Sequence, residues 1–254
     1  MWADAGHEVA WAQFELGAKP ASAFMPKGDV ELITSKDGWE LRSGSSRARF
    51  DAVTGTMSSY VANGVETIAA NAGFPAGPRL NLMRAFVDND TWFHRDFVNA
   101  GLQQLSFKTR SASPEQGDGW ARISFEVDVL GSKGRGFRHF VAYTMLADGS
   151  VVIDNRATPQ GGDLPVLPRI GLMLALDPAL QNLKWLGRGP KDSYPDRKTA
   201  MDVGLYSGTV AEQFQENVRP QEGGAKEDVR WAELTNAEGK GLRIESAGPL
   251  SLNA

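Results

Sequence analysis

The residue types best suited to chemistry are concentrated at positions 84–96, where acidic and amide side chains stand beside aromatic rings. Candidates for contact with a substrate in this stretch are Asp88, Asn89, Asp90, Thr91, Trp92 and His94. Side-chain oxygens of Asp, Asn and Thr can hydrogen-bond the hydroxyl groups of a sugar, while an indole ring can cover its C–H faces. The alternative interpretation is an Asx-turn loop with aromatic anchors, and the composition of the stretch alone favours it.

A second dense stretch, at positions 185–197, is dominated by glycine and proline. Its conspicuous residues are Trp185, Gly187, Gly189, Pro190, Tyr194, Pro195, Asp196 and Arg197. The Gly-Pro and Tyr-Pro steps impose an extended, turn-rich backbone, and Asp196 beside Arg197 is predicted to pin the loop by charge-assisted hydrogen bonds. A dinucleotide site is excluded because the third glycine and the βαβ unit are missing. We therefore favour a structural role.

Nucleophiles and metal ligands are scarce in this chain. It has no cysteine, which excludes thiolate zinc sites and a cysteine nucleophile, and its three histidines are His7, His94 and His139. Their spacing fits no metal motif, because Trp11 stands where a zinc pattern starting at His7 requires a second histidine. His139 alternates with apolar residues and is expected to be a hydrogen-bonded core residue. The sequence predicts no catalytic residue, no metal site and no cofactor in this chain.

The overall composition indicates a folded domain with a slightly acidic surface. Hydrophobic residues make up 41% of the 254 residues, and the net charge is −4. This balance argues against a nucleic-acid partner, which requires clustered Lys and Arg. No membrane partner is expected, because no apolar stretch is long enough for a transmembrane helix. The first residues lack the features of a signal peptide. We expect a soluble protein, cytoplasmic or periplasmic, whose compartment the sequence leaves open.

Apolar residues alternate with a period of two along almost the whole chain, which predicts half-buried β-strands. The clearest runs are 123–129 and 137–145, and the second turns at Asp148-Gly149 into 151–153 as a hairpin. Further strands are predicted at 30–34, 39–42, 47–50, 57–62, 105–109, 170–176, 182–186, 229–234 and 242–244. Evidence for helices in the sequence is weak. It consists of Thr209-x-x-Glu212, which matches the capping-box pattern found at the start of a helix. The expected fold class is all-β, a large antiparallel β-sandwich.

One domain boundary is visible from composition. Residues 17–28 contain two prolines and two glycines without apolar alternation, which is typical of a linker. Residues 1–16 before it hold a single predicted strand at 7–16, which is marginal in water unless it pairs with another element. Residues 29–254 form the sandwich domain and stop in an alternating pattern. We therefore expect a slice of a longer protein, with a sandwich that is incomplete at its C-terminal end.

Several strings closely resemble signatures of the last domain, the small-chain domain, of large bacterial β-galactosidases of glycoside hydrolase family 2. In chain order they are Arg84-Ala85-x-x-Asp88-Asn89-Asp90, Leu167-Pro168-Arg169-Ile170-Gly171, Trp185-Leu186-Gly187-x-Gly189-Pro190 with Tyr194-Pro195-Asp196-Arg197, and Arg219-Pro220-Gln221-Glu222-x-Gly224. Residues 5–14 resemble the final strand of the immunoglobulin-like domain that precedes this domain. Phe86, Asp192 and Gly223 depart from the family, which often has proline, glutamate and asparagine there. Arg84, Gln221 and Glu222 join the 185–197 residues as the structural signature.

The resemblance implies a supersandwich of antiparallel strands, the architecture shared with galactose mutarotases. It also implies a parent enzyme that hydrolyses terminal β-galactosides with retention, through two carboxylates about 5–5.5 Å apart. In the family both glutamates and the magnesium ligands lie in a preceding (β/α)8 barrel, whereas this chain lacks the barrel alternation and the Asn-Glu dipeptide of the acid/base. The implied partners are β-galactosides, through the parent enzyme, and the barrel and immunoglobulin-like domains of the same polypeptide. Residues 91–96 match the loop near the mouth of the family's active site.

Three functions are compatible with the sequence. The first is a non-catalytic part of a β-galactosidase that packs beside the barrel and helps to shape the sugar-binding cleft. The second is an autonomous carbohydrate-binding module that uses positions 88–92. The third is a mutarotase-like aldose epimerase, which needs a glutamate base facing a histidine acid. The epimerase ranks last, because no histidine spacing points to such a pair.

Overall fold

Short antiparallel strands form most of the regular structure in a computed structural model that describes residues 2–16, 26–68 and 76–254. The strands are β1 (Glu31–Thr34), β2 (Gly38–Ser43), β3 (Ser46–Asp51), β4 (Thr56–Ala62), β5 (Val65–Glu66), β6 (Arg79–Asn81), β7 (Leu105–Gly117), β8 (Trp120–Gly131), β9 (Gly136–Leu146), β10 (Val151–Gln160), β11 (Gly171–Met173), β12 (Asn182–Gly189), β13 (Asp202–Thr209), β14 (Lys226–Thr235) and β15 (Gly241–Leu252). The helices are a 3-10 helix at Asp88–Trp92, α1 (His94–Asn99) and a second 3-10 helix at Ala211–Gln213. The predicted all-β class is confirmed. No helix within the described ranges is long and apolar enough to cross a membrane.

Two sheets pack face to face around the larger core. Sheet I has the strand order β1-β2-β3-β4-β5 and sheet II the order β10-β9-β8-β7, with antiparallel pairing throughout. The ring of Phe50 in sheet I lies 5.0 Å from that of Tyr143 and 6.3 Å from that of Phe125, both in sheet II. Alternate residues of β8 and β9 face this core, because successive side chains on a strand point to opposite faces. The predicted antiparallel β-sandwich is confirmed.

Sheet III, with the strand order β13-β12-β14-β15, carries the start of the 185–197 stretch. Its inner face has a smaller core formed by Leu180, Leu183, Trp185, Val229, Ala232 and Leu234. The register between β14 and β15 shifts between Lys226 and Trp231. Inside this irregularity Asp228 adopts a positive φ of 53°, which is uncommon for a residue other than glycine. The bulge places the Asp228 carboxylate beside Arg188 and Lys198, with which it forms the ion pairs described below.

Two local predictions from the sequence are confirmed. β9 and β10 form the expected hairpin, in which Met145 pairs with Val151 and the turn contains Gly149 at a φ of 84°. The capping box is also present, because the Thr209 N–H donates to Glu212 Oε2 at 2.6 Å and the Glu212 N–H donates to Thr209 Oγ1 at 3.3 Å. The helix that it opens is only the short 3-10 helix at Ala211–Gln213.

Other strand predictions differ from the structure. The strand expected at 170–176 is reduced to β11 and one isolated bridge, because its partner β6 offers only three residues. The strand expected at 7–16 joins no ladder in the described part of the chain, so its assignment as a strand of another sheet stays a prediction. Alternation does not predict β13, because Gly204 and Gly208 interrupt the pattern on this edge strand. The predicted linker at 17–28 lies mostly outside the described residues, and the division into 1–16 and 29–254 stays a prediction.

Candidate functional site

A buried ion pair organises the 84–96 stretch. Arg84 donates two hydrogen bonds to the Asp90 carboxylate, from Nη1 to Oδ2 at 2.6 Å and from Nη2 to Oδ1 at 3.1 Å. The Val87 N–H donates to the same carboxylate at 2.8 Å. Burial acts to raise the pKa of Asp90, but the Arg84 guanidinium and the Val87 N–H outweigh it and hold the pKa below its usual value. Asp90 is therefore an ionised anchor with both oxygens engaged.

Two buried phenylalanines fix the helical turn that contains the candidate residues. Phe93 and Phe97 belong to the larger core and lie about one helical turn apart. The structure forms a 3-10 helix and α1 where the sequence predicts a loop, because core packing stabilises helices that are too short to persist alone. In the sequence, the i, i+4 spacing of Phe93 and Phe97 and the glycine at position 101 are the signals that identify this helix. In the structure Gly101 has a φ of 72°, as is common just after a helix ends.

Five of the six predicted cleft residues are exposed on this turn. They are Asp88, Asn89, Thr91, Trp92 and His94. Trp92 is 71% exposed and packs edge-on against Phe93, with ring centroids 5.0 Å apart. The ring of His94 packs edge-on against that of Phe86 at 4.6 Å. The structure thus brings these side chains onto one surface, while Asp90 lies beneath it.

The 219–222 segment lies next to this turn. Arg219 Nη1 donates to Asp88 Oδ1 at 3.1 Å, across a separation of 131 residues. Glu222 Oε1 accepts a hydrogen bond from Arg169 Nη2 at 2.5 Å, and Gln221 beside it is half-buried. The 219–222 segment therefore contacts both Asp88 of the exposed turn and Arg169, which sequence spacing alone does not reveal.

The glycines of the 185–197 stretch allow close packing around Trp185. This residue is 1% exposed, and its ring lies 5.5 Å from that of Tyr206. A Cβ atom on Gly187 would lie 2.8 Å from the Val229 side chain, and one on Gly189 would lie 2.7 Å from the Tyr206 ring. Both distances are shorter than real Cβ contacts, so glycine is needed at both positions.

A tight turn closes the loop after β12. The Arg197 N–H donates to the Tyr194 carbonyl at 2.8 Å and the Tyr194 N–H donates to the Arg197 carbonyl at 3.3 Å. Pro195 therefore stands at the second position of a β-turn, which proline favours. The predicted pinning role of Asp196 is corrected, because Arg197 pairs with Asp192 at 3.1 Å and Asp196 is exposed at the centre of the turn.

An ion-pair network that sequence spacing does not reveal holds the same loop. Asp228 accepts hydrogen bonds from Arg188 Nε at 2.5 Å and from Lys198 Nζ at 3.1 Å. Arg188 Nη1 also donates to the carbonyl oxygens of Lys198 at 3.0 Å and Met201 at 2.7 Å. Burial acts to raise the pKa of Asp228, but its two cationic partners lower it. The loop that starts at Pro190 is thereby fixed to sheet III.

Among the residues that the structure describes, the histidines and carboxylates do not assemble into a metal centre. His139 is 3% exposed, and its Nε2 lies 2.9 Å from Asn155 Oδ1, which confirms the predicted core histidine. Burial lowers the pKa of His139, and the hydrogen bond with Asn155 opposes this shift. Within the described ranges no three His, Asp or Glu side chains are arranged to share a metal ion.

The fold and the site define an antiparallel β-sandwich domain with an exposed polar and aromatic turn, which the buried Arg84–Asp90 ion pair holds in place. Residues 42–254 match the family model described as β-galactosidase small chain. The chain belongs to this family.

Its relatives are much longer proteins. The β-galactosidase of Priestia megaterium is 33% identical over 261 residues, which cover 100% of this chain and 24% of the relative. The β-galactosidase of Arthrobacter sp. is 30% identical and β-galactosidase BgaC of Bifidobacterium adolescentis 29% identical, each over 96% of this chain. The chain therefore spans about a quarter of the length of these relatives.

Proposed function

We propose that this chain is the small-chain part of a β-galactosidase of glycoside hydrolase family 2, where it packs beside the catalytic barrel and helps to shape the sugar-binding cleft. The observation that carries the proposal is the meeting of separate family-like strings in space. Arg219 pairs with Asp88, and Arg169 pairs with Glu222. Trp92, which is 71% exposed, lies on the same 3-10 helix as Asp88.

The proposal assigns bond cleavage to the parts of the parent enzyme outside this chain. Retaining hydrolysis needs a nucleophile and an acid/base carboxylate, and the barrel would supply both glutamates together with the magnesium site. The described residues would contribute binding and positioning. Trp92 would cover an apolar face of a β-galactoside, and Asn89 and Thr91 would hydrogen-bond its hydroxyl groups. Arg84 and Asp90 are positioning residues, because they hold the turn beneath these side chains.

We also propose that the chain contains parts of two domains of the parent enzyme. Residues 29–254 are the supersandwich domain, which shares its architecture with galactose mutarotases, and 17–28 are its linker. Residues 1–16 are the terminal strand of a preceding immunoglobulin-like domain. Support for the last assignment comes from Val9, which is 78% exposed, and Phe14, which is 80% exposed. Apolar side chains left uncovered in this way indicate that another surface packs on them.

A chimera tests the role in the cleft. This chain replaces the matching quarter of the Priestia megaterium β-galactosidase, and hydrolysis of a chromogenic β-galactoside is measured with and without Trp92→Ala. We expect Trp92→Ala to raise KM about five-fold with a smaller effect on kcat, since loss of a stacking contact costs roughly 1 kcal/mol.

The matched control is Trp2→Ala, because Trp2 is 79% exposed but lies far from the turn in sequence and contacts His7. KM should stay unchanged in this variant. An active chimera in which both substitutions have the same effect on KM would contradict a role for the 88–94 turn in the cleft.

The exposure of Trp92 beside Asn89 and Thr91 also supports a second candidate, an autonomous carbohydrate-binding module. Titration of the isolated chain with galactose or lactose, followed by tryptophan fluorescence, separates the two functions. A saturable change that disappears in Trp92→Ala supports the module. No change in fluorescence across the sugar titration counts against the module and favours the cleft role in the parent enzyme.

A further inference from the structure

Side chains, and not a main-chain ladder, attach the 7–16 segment to sheet III. Gln13 Nε2 donates to the Val203 carbonyl at 2.7 Å, and the Val203 N–H donates to Gln13 Oε1 at 2.8 Å. Val203 lies on β13, the edge strand of the sheet. A primary amide offers both a donor and an acceptor, so Gln13 satisfies the outward N–H and C=O of Val203 as a neighbouring strand would.

A second contact lies two strands further into the sheet. Glu15 Oε2 lies 3.8 Å from Arg230 Nη2, and Arg230 belongs to β14. Because β12 separates β13 from β14, the two contacts span three neighbouring strands. The Arg230 side chain is 22% exposed and that of Glu15 is 75% exposed, so this long ion pair adds little energy and the two hydrogen bonds of Gln13 are the stronger attachment. The segment is therefore held at two points that are spaced along sheet III.

These contacts leave most of the segment free. Its apolar side chains are exposed to 78% at Val9, 43% at Trp11, 80% at Phe14 and 93% at Leu16. Its main chain joins no ladder in the part of the chain that the structure describes. A strand with apolar residues on both faces and unpaired main-chain groups is stable in water only when another sheet pairs with it and covers it.

We propose that Gln13 and Glu15 form an interdomain clasp. They fix the 7–16 segment to sheet III through side chains, while its main chain pairs in a second β-sheet of the same polypeptide. This inference rests on the proposed function, which assigns the second sheet to the preceding domain. The uncovered apolar side chains and the free main chain fit a strand of that sheet, and the clasp sets its orientation relative to β13 and β14.

Hydrogen exchange tests the clasp in the full 254-residue chain. The Val203 amide should exchange about five-fold faster in Gln13→Ala than in the wild type, since one hydrogen bond contributes about 1 kcal/mol. Gln13→Glu keeps an acceptor for this amide and should preserve part of the protection. Gln103→Ala removes another exposed glutamine and should change nothing. Equal Val203 exchange in the wild type and in Gln13→Ala would overturn the clasp.

Spin labels test the orientation, and the absence of native cysteine makes labelling specific. Labels at Ala12→Cys and Ser207→Cys should give a narrow distance distribution that broadens when Gln13→Ala is added. A distribution of the same width with and without Gln13→Ala would count against the clasp.

The chimera separates this inference from the proposed function. In the chimera the amides of residues 7–16 should become protected, because the second sheet is then present. An inactive chimera with these amides protected refutes the proposed function and leaves the clasp in place. An active chimera in which they exchange as fast as in the isolated chain refutes the second sheet and leaves the proposed function.

Discussion

At the scale of single residues, paired charges shape the candidate surface and reactive groups do not. Asp90 pairs with Arg84, and Asp228 pairs with Arg188 and Lys198. Asp128, on β8 of sheet II, pairs with Arg110 and Arg138. Burial acts to raise the pKa of all three carboxylates. The paired arginine and lysine side chains outweigh burial and lower all three pKa values. Each carboxylate therefore stays charged at neutral pH. Buried pairs of this kind are costly to break, because removal of one partner leaves the other charge uncompensated.

Arg84→Ala should lower the free energy of unfolding by about 3 kcal/mol at pH 7, because it leaves the buried Asp90 carboxylate without its partner. The contribution of Asp90 is present above its ordinary pKa of 3.8 and is lost as pH falls through the lowered pKa. The difference between variant and wild type should therefore shrink in acid. Urea unfolding at pH 7 and pH 3 measures it. The control is Arg95→Ala on the exposed side of α1, and an equal cost in both variants would disprove the anchoring role.

Lys226→Met should stabilise the fold at pH 7 by about 1 kcal/mol. Lys226 is 1% exposed, and its ammonium lies 5.3 Å from the Trp185 ring centroid with no hydrogen-bond partner among the described residues. An unpartnered buried donor costs roughly 1–3 kcal/mol, part of which the cation–π contact returns. Burial lowers the pKa of Lys226, although Asp192 opposes the shift. Wild-type stability should therefore rise with pH between this lowered pKa and 10.5.

Thermal unfolding of the wild type and Lys226→Met across this pH range checks both statements. The rise should be absent in Lys226→Met and present in the exposed control Lys133→Met. A lower stability of Lys226→Met at pH 7 would show that the ammonium makes a net favourable interaction.

At the scale of elements, the period of two predicts the strands that have one face in the core. β8 and β9 have this pattern, and their hairpin partner β10 follows the Asp148-Gly149 turn. Alternation fails where tertiary contacts decide the structure. α1 is only six residues long and depends on Phe97 packing in the core. β13 is an edge strand interrupted by glycine, and the 7–16 segment alternates as a strand without a partner.

Gly187→Ala should destabilise sheet III by about 1–3 kcal/mol, because its Cβ would lie 2.9 Å from the Val229 main chain and force β12 and β14 apart. Gly248→Ala is the matched control on β15, since a Cβ there meets no atom within 4 Å. Chemical unfolding followed by tryptophan fluorescence compares the two. If Gly187→Ala were as stable as Gly248→Ala, close approach of the strands would not explain the glycine.

At the scale of the whole molecule, the family-like strings predict membership and the residues of the exposed turn, but not how these parts meet. The pairing of Asp88 with Arg219 joins positions 131 residues apart. The Asp228 network depends on a bulge and a positive φ that alternation does not indicate. Such contacts follow from the packing of complete sheets, and the sequence pattern does not specify that packing. The buried position of Asp90 also requires the folded chain, because its neighbours Asn89 and Thr91 are exposed.

The proposed function is a supporting role in a β-galactosidase whose bond-cleaving residues lie outside this chain. The most direct test measures turnover of a chromogenic β-galactoside by the purified chain alone and by the chain mixed with Priestia megaterium β-galactosidase that lacks its matching quarter. We expect no turnover by either protein alone and turnover by the mixture. Turnover by the chain alone that persists through stringent purification, with no gain in the mixture, would contradict the proposed function.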